Sequence, residues 1–128
     1  MTTALTCIGL LGLLVIGLGL GVSMTRAQTG TNFGYAADPA DRLHKIVRAH
    51  GNASEYAPIL AILIYVTALG EPASWVIWAG VVATVCRYLH AVGMLATRTL
   101  DALNPLRFVG ALGTYLAGLA LVVAVFAG

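Results

Sequence analysis

No charged side chain precedes Arg26. The run before it contains Ile8-Gly-Leu-Leu-Gly-Leu-Leu-Val-Ile-Gly-Leu-Gly-Leu, and as a helix rising 1.5 Å per residue it crosses about 30 Å of hydrocarbon. A secretory signal carries its basic residues ahead of its apolar stretch. Here the arginine follows, so the run is expected to stay as a first transmembrane helix. The rest of the chain must then fold beside a span of lipid. Its composition agrees, with 59% hydrophobic and 9% charged residues over 128 positions, against about 25% charged in soluble domains, and a mean hydropathy of +0.91. This excludes a cytosolic enzyme, a disordered tail and a basic domain that binds nucleic acid. The expected fold class is all-α, an integral membrane four-helix bundle forming one domain per subunit. Cys7 and Cys86 both lie in apolar runs, which gives neither a disulfide framework nor a zinc pattern.

Punctuation divides the chain into four helices, at about 3–26, 39–69, 72–99 and 105–127. Residues 27–37 are rich in glycine and polar side chains and are expected to form a loop. Asp38-Pro39 has the form of a helix start, with Asp38 as cap and the proline in the first turn. Gly70-Glu71-Pro72 is a break from which the proline restarts the third helix, and Asn104-Pro105 repeats the cap-and-proline device. The charge-free parts of the middle helices, Tyr56–Gly70 and Pro72–Cys86, are each only about fifteen residues, roughly 22 Å of helix. To span, each must draw polar residues into the membrane. The short second loop then leaves both polar halves side by side at one membrane face.

All seven basic residues (Arg26, Arg42, Lys45, Arg48, Arg87, Arg98 and Arg107) belong to the side holding the first and third loops. The positive-inside rule places those loops in the cytoplasm and both termini outside. The short Ala/Gly/Leu-rich chain suits a bacterial inner membrane. Glycines in the outer helices, including Gly17-xxx-Gly21 and Gly110-xx-Gly113, are of the kind that lets helix backbones approach closely in lipid.

The second helix carries His44, Arg48, Asn52 and Glu55 at intervals of four, four and three, which puts them on one face. Arg87, His90, Met94 and Arg98 follow a similar rhythm on the third. An arginine near the bilayer centre costs about 2.5–3.5 kcal/mol on insertion scales, so these charges are expected to face the bundle interior and to pair. Two readings follow. In one the residues form an interhelical clamp, with Glu55 paired to Arg87 and Asn52 bridging helices. In the other they form a site for a polar, mainly anionic ligand, since arginines grip carboxylates in bidentate fashion while Glu55 can hold an ammonium group and Asn52 an amide. Pro58, one turn after Glu55, removes a helical hydrogen bond and is expected to kink the helix.

The stretch Arg48-Ala-His-Gly-Asn-Ala-Ser-Glu-Tyr-Ala-Pro58 resembles the second-helix signature of the MAPEG family, the membrane-associated proteins of eicosanoid and glutathione metabolism. Arg87-Tyr-Leu-His-Ala-Val-Gly93 is similar to the family's third-helix stretch. The resemblance is strongest over residues 42–69 and 87–94 and implies a homotrimer with glutathione bound between neighbouring subunits near the cytoplasmic face. It implies that Arg48, Asn52, Glu55 and Tyr56 bind glutathione with His50 nearby, that Arg26 matches a family arginine, and that Arg87, Tyr88 and His90 fall at or near ligand-facing positions. Arg107 matches an arginine that some members place near the glutathione sulfur, and Arg98 competes with it for that catalytic role. The chain departs from certain members at Met94, where they have a tyrosine.

The activity so implied is transfer or peroxidase chemistry on a hydrophobic small-molecule substrate entering from the lipid. An arginine beside the sulfur would favour the thiolate, which is the nucleophile. The alternative is an inactive structural or accessory subunit of a membrane complex with the same fold. A small four-span exporter is disfavoured, because such antiporters generally need a carboxylate in the first helix and Met1–Thr25 has none.

Overall fold

A computed structural model describes residues 1–127 as four helices: α1, Thr2–Thr29; α2, Arg42–Thr67; α3, Ser74–Ala96; and α4, Pro105–Ala127. The all-α four-helix bundle expected from the sequence is the fold observed. α1, α3 and α4 are each long and apolar enough to cross a membrane. α2 is long enough, at about 39 Å for 26 residues, but its first half is too polar to qualify by composition. A chain with three such helices is an integral membrane protein, and the lipid bilayer accounts for the many large apolar side chains on its outside, among them Leu13, Ile16, Trp78, Leu116 and Phe126.

Several boundaries differ from those expected. α2 begins three residues after Pro39, because Asp41 rather than Asp38 is its cap: the Asp41 carboxylate accepts the His44 amide at 2.8 Å. The Asp38 carboxylate instead accepts the Ala40 amide at 2.8 Å in a turn of its own. Pro72 precedes α3 rather than opening it. α3 stops at Ala96, where Thr97 turns extended with ψ of 150°, and this leaves Arg98 outside the helix. The start of α4 is as expected, with Asn104 Oδ1 accepting the Arg107 amide at 3.1 Å.

α1 packs most closely on α2, and α3 on α4. α2 turns a ladder of small residues inward, with Ala49, Ala53 and Ala57 nearly fully buried and continued by Leu60 and Ile64. Ala57, Leu60 and Ile64 meet Leu11 of α1, Ala83 of α3 and Leu121 of α4 in one cluster, while Ala49 and Ala53 join Leu14, Leu18, Ala91 and Met94 in a second, nearer the first and third loops. Met94, at the position of the family tyrosine, is therefore core.

Glycines set the α3–α4 distance. A Cβ on Gly110 would lie 2.5 Å from the His90 amide nitrogen, one on Gly93 would lie 2.7 Å from the Arg107 nitrogen, and one on Gly113 would overlap Cys86 Sγ. Gly17 of the expected α1 motif faces open space. Gly19 and Gly21 make that helix's close approaches, to His50 and Ile46.

Candidate functional site

Because its alanine ladder faces inward, α2 must direct the opposite face outward. Arg48 and Glu55, two turns apart on that face, are both exposed on the single chain. The expectation that the intramembrane charges all face the bundle interior thus fails for these two. It holds for Arg87, whose side chain is only 3% exposed.

Arg87 is the centre of the site. Its Nη1 donates to Asn52 Oδ1 at 2.9 Å, tying α3 to α2, and its Cζ lies 4.8 Å from the centre of the Tyr56 ring, within range for a cation–π contact. No carboxylate pairs with it among the described residues, and its buried Nε has no hydrogen-bond partner. The clamp in which Glu55 neutralises Arg87 is therefore not formed, while the bridging part expected of Asn52 is. A buried cation without a counter-charge is costly, and this one is stabilised only by an amide oxygen and an aromatic face.

The ring of Tyr56 leads outward to α4. Its hydroxyl lies 3.1 Å from the hydroxyl of Tyr115, with ring centres 5.9 Å apart. The two tyrosines stand at one end of a groove of about 370 Å³ between α2 and α4, otherwise lined by apolar side chains such as Ile59, Leu63, Leu119 and Val122. Tyr115 was not singled out in the sequence. The signal the sequence offers is that it is the one tyrosine in the last helix, whose other polar side chains are Arg107 and Thr114.

The remaining candidates are dispersed. His50 leans the other way, its Nε2 only 3.1 Å from where a Cβ on Gly19 would stand, so it packs on α1 and away from the Arg48–Glu55 face. The Tyr88 hydroxyl donates to the Leu10 carbonyl of α1 at 2.8 Å. His90 Nδ1 donates to the Arg107 carbonyl at 2.9 Å. Arg26 Nη1 donates to the carbonyls of Thr31 and Gly34, at 3.1 and 2.9 Å, and holds the first loop against the end of α1. Arg107 Nη1 donates to the Leu100 carbonyl at 2.7 Å in the third loop. Arg98 is exposed on that same loop.

The structure thus brings together Arg87, Asn52 and Tyr56, with Arg48 and Glu55 on the adjoining outer face of α2. It sets His50, Tyr88, Arg26 and Arg107 into contacts of their own. Such a centre combines a buried, under-neutralised guanidinium, an outward cation and acid, an amide and a phenol, and its Tyr56 edge borders an apolar groove. Chemically it matches a ligand with both carboxylates and an amine next to a lipophilic one.

These features define an integral membrane four-helix bundle with an arginine-centred polar site between its middle helices. Comparison with protein families matches residues 4–127 to the MAPEG family, and the chain belongs to that family. Among curated proteins none matches it.

Proposed function

We propose that this protein is a membrane-bound, glutathione-dependent transferase or peroxidase acting on hydrophobic electrophiles. The observation that carries the reading is Arg87: a guanidinium 3% exposed, with an orphaned Nε, facing a helix whose outer surface presents Arg48 and Glu55. Glutathione has two carboxylates, an ammonium group and two amide bonds, and the residues fit it. Arg48 and Arg87 supply cations for the carboxylates, Glu55 an acceptor for the ammonium, and Asn52 and Tyr56 neutral hydrogen-bonding groups. The bound tripeptide supplies a thiolate that forms a bond to an electrophilic carbon as the leaving group departs with its electron pair.

In this reading the protein's residues bind, orient and exclude water. Arg48 and Glu55 need cover in a bilayer, so the site is completed between neighbouring subunits of a homotrimer. The α2–α4 groove holds the lipophilic substrate with its reactive end at the Tyr56–Tyr115 pair. The basic first and third loops face the cytoplasm, in a bacterial inner membrane, with both termini outside.

The test is ultraviolet absorbance of the thiolate when glutathione is added to the purified protein in detergent, followed by turnover of an aryl halide. A saturable thiolate signal and conjugate formation are expected. No signal at millimolar glutathione overturns the reading. It would favour the second one, an accessory subunit in which the Arg87–Asn52 bond serves only to join α2 and α3.

A further inference from the structure

Tyr56 and Tyr115 both line the apolar groove of about 370 Å³ between α2 and α4. Their hydroxyls lie 3.1 Å apart, and among the described residues neither has another hydrogen-bond partner. A phenol carries one proton to donate. When one of the pair gives its proton to the other, the acceptor keeps its own proton free. Tyr115 stands half-exposed on the α4 wall of the groove.

Arg87 decides the direction. Its Cζ lies 4.8 Å from the centre of the Tyr56 ring, and a cation over a phenol ring draws electron density from it. The Tyr56 hydroxyl becomes the stronger donor and its oxygen the weaker acceptor, and hydrogen bonds in a chain polarise one another in the same sense. The order is therefore Arg87, Tyr56, Tyr115, which leaves the Tyr115 proton for the groove. A guanidinium stacks by its face and donates along its edge, so contact with Tyr56 leaves the orphaned Nε for a ligand carboxylate.

We infer that Tyr115 is a catalytic residue, the acid that protonates the departing oxygen of an electrophile seated in the α2–α4 groove, with Tyr56 as its positioning residue. The inference rests on the glutathione reading for its nucleophile. On an epoxide, the thiolate sulfur forms a bond to a ring carbon while the carbon–oxygen bond breaks and its electron pair passes to oxygen. That oxygen takes the Tyr115 proton and remains on the conjugate as a hydroxyl. The electron pair of the broken O–H bond stays on Tyr115. It is stabilised by the hydrogen bond from Tyr56 and by the uncompensated charge of Arg87 against the Tyr56 ring, both stronger in an apolar setting than in water. The proton released by the thiol of the next glutathione restores the phenol. An aryl chloride needs no such acid, because chloride departs as a stable anion.

The test uses the full chain in detergent with two readouts. The first is turnover of an aryl epoxide against an aryl chloride at saturating glutathione. A positioned general acid contributes about 10²–10⁴-fold, so Tyr115→Phe is expected to lower the epoxide-to-chloride ratio of kcat by about a hundredfold or more. The second needs no glutathione: calorimetric binding of a long-chain ketone, whose oxygen accepts and cannot donate, relative to the matching alkane. Tyr115→Phe is expected to weaken the ketone's advantage by about two- to tenfold. A kcat ratio unmoved by Tyr115→Phe, including one in which both electrophiles slow together, overturns the inference and leaves Tyr115 as part of the groove wall. So does a parent protein that conjugates the aryl chloride alone, although the glutathione reading then stands. A ketone advantage identical in parent and variant also overturns it. If the parent binds no glutathione, the functional reading falls and the catalytic step with it, and ketone binding still decides whether Tyr115 turns its proton to the groove.

Discussion

Replacing Gly110 by alanine isolates the contact on which the α3–α4 pair is built. An added Cβ would meet the His90 amide nitrogen at 2.5 Å, the Cys86 carbonyl oxygen at 2.7 Å and the His90 Cα at 2.9 Å. All three are backbone atoms, so no rotamer change relieves the clash. The helices must separate by about 0.9 Å at this point to regain ordinary contact near 3.4 Å, loosening packing along the pair. Overpacking of this kind costs about 1–3 kcal/mol. Alanine also brings about 0.5–1 kcal/mol of helix propensity, which Gly17→Ala gains with no steric charge against it, because nothing lies within 4 Å of that position. The difference between the two variants therefore isolates the steric cost, about 1–3 kcal/mol in favour of Gly17→Ala. Sodium dodecyl sulfate titration from a mild detergent, followed by circular dichroism, measures it. At Gly113 the obstacle is the Cys86 thiol, so Cys86→Ala is expected to rescue Gly113→Ala but not Gly110→Ala. Equal stability of the Gly110 and Gly17 variants would refute the reasoning.

Other expectations follow from single contacts. Asp41→Ala removes the α2 cap and is expected to lower stability by about 0.5–2 kcal/mol in the same titration, whereas Asp38→Ala loses only a turn bond and has the smaller effect; the reverse order would contradict the cap assignment. Tyr88→Phe deletes the hydroxyl bond to Leu10 and should cost about 0.5–1.5 kcal/mol while leaving glutathione affinity within twofold of the parent. A selective loss of affinity would place the hydroxyl on the ligand instead.

Much of this fold is legible in the sequence, because apolar spans and the Asn104-Pro105 start are set by local chemistry. The start of α2 is not. Asp38 and Asp41 are both suitable caps, and the choice is coupled to a distant contact, the Leu100 amide taking the Pro39 carbonyl at 3.0 Å. The end of α3 is likewise tertiary. Its continuation through Arg98 suits the helical rhythm, yet Thr97 leaves the helix where Lys45 of α2 holds its carbonyl. The outward direction of Arg48 and Glu55 was written in Ala49, Ala53 and Ala57, whose four-residue spacing marks the packing face. The rule that intramembrane charges face inward concerns the assembled protein, and one chain need not satisfy it alone. The family motif located Arg87, Asn52 and Tyr56, but nothing local pairs Tyr56 with Tyr115, fifty-nine residues away.

Arg87→Leu separates ligand binding from structural support most directly, read by glutathione calorimetry and unfolding stability on the same preparation. A buried cation lacking a counter-charge gives little net stability, so the variant should unfold within about 1 kcal/mol of the parent or above it while glutathione affinity falls by at least tenfold. A protein weakened by about 3 kcal/mol or more that still binds glutathione with parental affinity would show Arg87 to be a strut between α2 and α3.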